Sequence, residues 1–164
     1  MNKITGAGII IYYDNRLGKY KELPSDILYL FLKTKPMKTS NTERKIRLDF
    51  PKGSIDKNID GKGNNENPLD CAVRETLEEC GLVKNTHYFI DHNKFINSDR
   101  GLVMYLGEFV PKDKHSFDDF IKILPNPESG YIEHIGHFWG IKEDSDDLLS
   151  FLKKYIEWAD INIR

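Results

Sequence analysis

Arg74-Glu75-Thr76-Leu77-Glu78-Glu79-Cys80-Gly81-Leu82 sets three carboxylates into a segment that otherwise reads as a buried amphipathic helix. Glu75, Glu78 and Glu79 stand at i, i+3 and i+4, so at 3.6 residues per turn their side chains converge on one face. Like charges at that spacing destabilise a helix by roughly a few tenths of a kcal/mol per pair. A divalent cation among these hard oxygen ligands would offset the repulsion. Acidic helix faces are solvated more often than not, so the neighbouring sequence has to decide.

The helix around this segment is well marked. Asn67 is placed to cap it, Pro68 suits the first helical position, Asp70 faces the positive end of the dipole, and Gly81 ends it. Leu69, Ala72, Val73, Thr76, Leu77 and Cys80 form the expected core stripe. Upstream, Lys52-Gly53 sits where a strand gives way to a Gly-rich stretch, a place where backbone groups can meet a phosphate. Arg74, four residues before Glu78, can hold that carboxylate in orientation.

The rest of the chain sets the frame. With 164 residues, 39% hydrophobic, 30% charged and a net charge of -2, it reads as one domain with no basic field toward nucleic acid or anionic lipid. It has no apolar run long enough for a membrane span and no secretory leader at Met1 to Gly6. Cys71 and Cys80 lie on the same helix with Cα atoms roughly 13 Å apart, beyond disulfide reach, so both are expected reduced in the core. These features point to a cytoplasmic protein, and no obligate protein partner can be inferred.

Strands are expected at 4–13, 27–32, 46–50, 88–90, 94–96, 101–110 and 133–141. Residues 35–45 and 53–65 read as polar loops, 117–123 as a short helix, and 144–161 as a C-terminal helix packing through Leu148, Leu152, Tyr155, Ile156 and Trp158. Mixed strands and helices about one sheet make the fold class α/β or α+β.

Glu66, seven residues, then Arg74 to Leu82 resembles the Nudix box, E-x7-R-E-U-x-E-E-x-G-U, with Thr76 where an aliphatic residue is usual. The resemblance implies the Nudix fold, a mixed sheet between helices, and Mg²⁺-dependent cleavage of a nucleoside diphosphate linked to another group, with Mn²⁺ as the alternative ion. It implies metal ligation by Glu75, Glu78, Glu79 and the Gly53 carbonyl. It also implies catalytic parts for Glu78, Glu79 and Arg74, and structural parts for Glu66 and Gly81. Lys52 is the expected phosphate contact. Glu133-His134 to Trp139 resembles a late strand of the family in which the Glu supplies a further ligand or base, whereas His134 and His137 read as surface or hydrogen-bonded residues. Tyr105, Phe138 and Tyr88 are candidates for nucleobase stacking.

In the family pattern a glycine stands five residues before the first Glu. Here Gly53 is separated from Glu66 by twelve residues, which implies a seven-residue insertion within 54–65; the alternative takes Gly61 as the counterpart, and Phe50-Pro51-Lys52-Gly53 favours the insertion. Gly6 to Tyr12, Pro51-Lys52-Gly53 and the box together resemble the asymmetric diadenosine tetraphosphate hydrolases, so a small nucleotide substrate of the dinucleoside polyphosphate kind is expected. The second resemblance is to mRNA decapping Nudix enzymes, which would make capped RNA the partner, although no basic tail is present to bind it. The third reading is a non-catalytic nucleotide-binding module, against which the three intact carboxylates argue.

Overall fold

Ile9, Ile10 and Ile11 follow one another without a polar break, and a strand of that pattern must be covered on both faces. The computed structural model, which describes residues 3–38, 44–98 and 100–164, places this run at the centre of a seven-stranded mixed sheet. In chain order the strands are β1 (Gly6–Asp14), β2 (Ile27–Thr34), β3 (Met37–Lys38), β4 (Arg44–Lys45), β5 (Leu48–Asp49), β6 (Lys52–Ser54), β7 (Tyr88–Asn97), β8 (Leu102–Phe109) and β9 (His134–Gly140). The helices are α1 (Pro68–Cys80), α2 (Ser116–Asp119) and α3 (Lys153–Ile163).

β1 runs parallel to β8 and antiparallel to β2, and β7 lies antiparallel on the far side of β8. β1 and β2 pair only at Tyr12↔Tyr29 to Asp14↔Ile27 and then part. The chain from 48 to 54 fills the fork: β5 pairs with β2 at Leu32↔Asp49, and β6 pairs with β1 at Gly8↔Lys52. Pro51 cannot donate a ladder bond, so it falls between the two short strands, while its carbonyl accepts from Ile9 N–H at 3.0 Å. β9 lies along the opposite edge of β2, with Leu30↔Trp139 in register.

Alternation along β1 and β2 divides the core. Ala7, Ile9, Ile11, Leu28, Leu30 and Leu32 pack with Cys71, Ala72 and Cys80 of α1, whereas Ile10, Tyr29 and Phe31 pack with Leu152, Tyr155, Ile156 and Ala159 of the C-terminal region. The result is the mixed sheet between helices that the sequence predicts. Cys71 and Cys80 are buried free thiols. Among the described residues no helix is long and apolar enough to cross a membrane.

Four expectations are corrected. The stretch 35–45 contains the β3–β4 ribbon, with residues 39–43 outside the described set. The two strands expected at 88–96 are one strand with a register shift between Ile90 and Phe95. The helix expected over 117–123 is the single turn of α2. The C-terminal helix starts at Lys153 instead of 144: the Leu148 carbonyl accepts from Arg47 Nη2 at 2.6 Å and Leu149 N–H donates to the Leu48 carbonyl, so this backbone is tied to β5 and its neighbour and winds as short 3₁₀ turns.

Candidate active site

α1 begins and ends as its sequence dictates. The Asn67 side chain accepts from Asp70 N–H at 2.8 Å, Pro68 takes the first turn, and Gly81 closes the helix at φ +75°, donating to the Leu77 carbonyl. Its buried arc, however, is rotated from the expected stripe. Leu77 is 45% exposed, while Cys71, Ala72, Thr76, Glu79 and Cys80 are buried and Glu75 is half-buried. The chain filling the fork between β1 and β2 lies against the carboxylate side of the helix and covers it. Thr76, where an aliphatic residue was expected to be usual, satisfies its buried hydroxyl by donating to the Ala72 carbonyl at 2.8 Å.

Arg74 is the hub of the polar cluster. Its guanidinium donates to both oxygens of Glu66 at 2.9 Å, to Glu75 at 3.0 Å, to Glu78 at 3.2 Å and to the Ser54 carbonyl at 3.0 Å. One planar cation thus fixes two helix carboxylates, the end of β6 and the residue that closes the loop before α1. That loop folds back on itself: Glu66 N–H donates to the Asp56 carbonyl and Asp56 N–H to Glu66 Oε1. Residues 57–65 are therefore an excursion pinned at its base. Gly53, expected at the head of this loop, lies in β6, where an added Cβ would overlap the Glu75 carboxylate. Its carbonyl accepts from the Cys71 thiol.

Glu79 is only 7% exposed. Its Oε1 accepts from Lys52 N–H at 3.1 Å and its Oε2 lies 3.0 Å from His134 Nδ1, whose Nε2 lies 3.0 Å from Asp49 Oδ2. Lys52 Nζ completes the circuit at 3.3 Å from Asp49. Burial, and then the charge of Asp49, pushes the Glu79 carboxyl up to about 9. Burial likewise lifts Glu75 to about 7, with Glu78 and Glu133 adding to the rise and Arg74 opposing it. Asp49 was not singled out from the sequence; its signal was a lone acid between Leu48 and Phe50 in an alternating strand. His134, read as surface or hydrogen-bonded, is buried and hydrogen-bonded.

Glu133 stands at the head of β9, exposed, with no hydrogen bond or ion pair among the described residues. Ligand atoms of Glu79, Glu133 and His134 lie within 4.8 Å of one another. Lys52, Glu75, Glu78 and Glu133 line a polar cleft of about 300 Å³. The donors fit a hard divalent cation: carboxylate oxygens dominate, both nitrogens of His134 already face carboxylates, and the burial that lifts Glu75 and Glu79 is the cost that a cation would offset.

The aromatic candidates lie elsewhere. Tyr88 is fully buried. Tyr105 is 8% exposed, packed with Phe95 on the sheet, and does not line the acidic cleft. Phe138 packs on Phe31 and borders a separate cleft of about 420 Å³ with Tyr20, Phe117 and Trp139. Alternating strand aromatics are drawn into sheet packing first.

No protein-family profile matches the chain, and no curated protein sequence does. Solved structures do. The Ap4A hydrolase of C. elegans, determined as a binary complex, shares 18% identity over 96% of this chain and 97% of its own, with a TM-score of 0.58. The MutT protein of Methanosarcina mazei Go1 is 17% identical over 100% and 99%, at 0.54. The NUDIX domain of Shewanella oneidensis NrtR, complexed with ADP ribose, is 14% identical over 100% and 90%, at 0.56. At these identities the likeness is one of fold, and that fold is the Nudix fold.

Proposed function

We propose that this Nudix-fold chain is a divalent-cation-dependent hydrolase of nucleoside diphosphate-linked substrates, and that within that class it takes a dinucleoside polyphosphate. The observation that carries the reading is the gathering of Glu75, Glu78, Glu79 and Glu133 about one cleft, with Arg74 holding Glu75 and Glu78 and a buried Asp49–His134 pair beside Glu79. Three mutually repelling carboxylates serve no evident packing purpose there, which disfavours a purely binding module.

Glu75, Glu78, Glu79 and the Gly53 carbonyl would hold the cation, with Mg²⁺ the hard-ligand choice. Bound there, it supplies neutralisation of phosphoryl charge and a more acidic water. Arg74 keeps Glu75 and Glu78 from turning away as the substrate enters. Lys52 offers its ammonium at the cleft as a point charge to a phosphate oxygen. Glu79 Oε1 accepts from Lys52 N–H and Oε2 faces the His134 ring, so neither oxygen is turned toward a water in the cleft. Glu133, unpaired at the rim, is the carboxylate free to take the proton of the attacking water.

The finer choice of substrate is supported by the sequence resemblance and by the likeness in fold to the nematode Ap4A hydrolase. A panel of diadenosine tetraphosphate, ADP-ribose and capped RNA, assayed with Mg²⁺ and product identification, tests it. Fastest turnover is expected for the dinucleoside tetraphosphate. Much faster release of the cap nucleotide would overturn that choice while keeping the hydrolase reading.

A further inference from the structure

Lys52, Gly53 and Ser54 form one wall of the acidic cleft and also one wall of a second cleft, about 270 Å³, on their other side. This second cleft is completed by Arg100, Phe151 and Tyr155, none of which the proposed chemistry uses. Phe151 is half-buried, with Lys52 Nζ 5.5 Å and the Arg100 guanidinium carbon 5.9 Å from its ring centroid. Both distances fall in the outer part of the cation–π range, so the two charges and the ring form one cluster at the cleft, with Lys52 also 3.3 Å from Asp49. No carboxylate pairs with Arg100 among the described residues. Its backbone is nevertheless held. Arg100 N–H donates to Ser98 Oγ, Thr5 Oγ1 donates to its carbonyl, and the following Gly101 carbonyl accepts from Thr5 and Gly6 at the start of β1.

Arg100, the shared Lys52 and a half-buried aromatic ring, beside the proposed anhydride-cleaving cleft, match one ligand class: a phosphate with a planar base attached. We propose that this cleft is a nucleotide subsite, in which Arg100 and Lys52 hold a phosphate and Phe151 stacks the base. The inference rests on the proposed activity for its use, since it places the far nucleotide of the substrate across β6 from the scissile bond. Arg100 and Phe151 then set specificity: Arg100 reads charge, and Phe151 reads the presence of a base.

Binding without turnover separates this from the activity. Titration of the protein in EDTA with ATP and with inorganic tripolyphosphate, followed by calorimetry, should show tighter binding of ATP. Phe151→Leu should lower ATP affinity by about fivefold or more, as loss of one base stack does, and leave tripolyphosphate unchanged. Arg100→Gln should weaken both ligands together. Phe151→Trp, which keeps the stacking surface, should keep the preference and so controls for loss of packing in the leucine variant. Equal affinity for the two ligands in the wild type, or an unchanged ratio in Phe151→Leu, overturns the subsite. If the preference for ATP is found but no nucleotide is cleaved with Mg²⁺, the subsite stands and the proposed activity falls.

Discussion

Glu79 Oε2 lies 3.0 Å from His134 Nδ1, while the other nitrogen of that ring lies 3.0 Å from Asp49. An imidazole with a single proton can donate to only one of the two acids. Burial of Glu79 between Lys52 N–H and this ring therefore calls for a proton on the Glu79 carboxyl, which burial pushes up to about 9, or for a cation in its place. This requirement joins the stability of the protein to its chemistry.

The first consequence is an unusual pH dependence. Glu79 is held near 9 in the fold against an ordinary 4.5, and Glu75 near 7. Both are raised acids, so the folded state binds more protons than the unfolded one between the two values. The contribution is fully present below about 4.5 and is lost as pH rises through 7 and 9. In EDTA the melting temperature should fall from pH 5 to pH 9, and Mg²⁺ should restore it most at the alkaline end. A melting temperature that rises across this window in EDTA would contradict the burial of these acids.

Glu79→Gln removes the charge and keeps the shape. The variant should lose about a hundredfold in kcat, because a proposed cation ligand is lost. In EDTA at pH 8 it should melt higher than the wild type, because the fold then needs neither a proton nor a cation at this position. Calorimetry beside the turnover assay reads both effects; a lower melting point would show that Glu79 is ionised and well paired without metal.

Arg74→Lys keeps the charge and loses the planar fork. Four acceptors on three sides cannot be met by one ammonium, so kcat should fall by about tenfold to a hundredfold, the usual cost of disturbing groups that orient ligands. The base of the 56–66 loop should become a site of limited proteolysis, since Glu66 is tied to Arg74 by two bonds. Unchanged proteolysis would mean that the two hydrogen bonds between Asp56 and Glu66 suffice.

Gly53→Ala places a methyl group into the Glu75 carboxylate. Overpacking of this kind costs about 1–3 kcal/mol, and here it displaces a proposed ligand, so stability and metal affinity should fall together. A variant with normal Mn²⁺ binding would remove Glu75 from the ligand set.

The excursion between Asp56 and Glu66 can be shortened without opening its base. Replacing residues 57–65 by two glycines should shift KM more than kcat, because the catalytic acids are held by Arg74 and not by the tip. Equal loss in both would show that the loop supports the acids themselves.

The sequence carried the helix and its caps residue by residue, because Asn67, Pro68 and Gly81 act through local backbone chemistry. Its rotation was not legible. Leu77 belongs to the apolar stripe by spacing, yet burial on the carboxylate side is decided by residues 48–54, about twenty positions upstream. The same gap hid Asp49, which acquires meaning only beside His134, 85 residues away. Pro51 could be read as a strand end but not as the kink that lets one short segment serve both β2 and β1. The stacking candidates missed the cleft because an aromatic on a strand shows its periodicity and not which neighbours compete to cover it, as Tyr105 and Phe138 illustrate. Phe151 escaped notice for another reason: 144–161 reads as one helix packed on the sheet, whereas Phe151 stands in a 3₁₀ turn before α3.

The central claim is that buried acids on α1 hold a divalent cation used to cleave a nucleotide anhydride. Initial rates with diadenosine tetraphosphate across a Mg²⁺ titration, for the wild type and Glu79→Gln, test it most directly. The account predicts no turnover in EDTA, saturable activation of the wild type, and no comparable activation of the variant. Turnover in EDTA, or equal activation of both proteins, would contradict it.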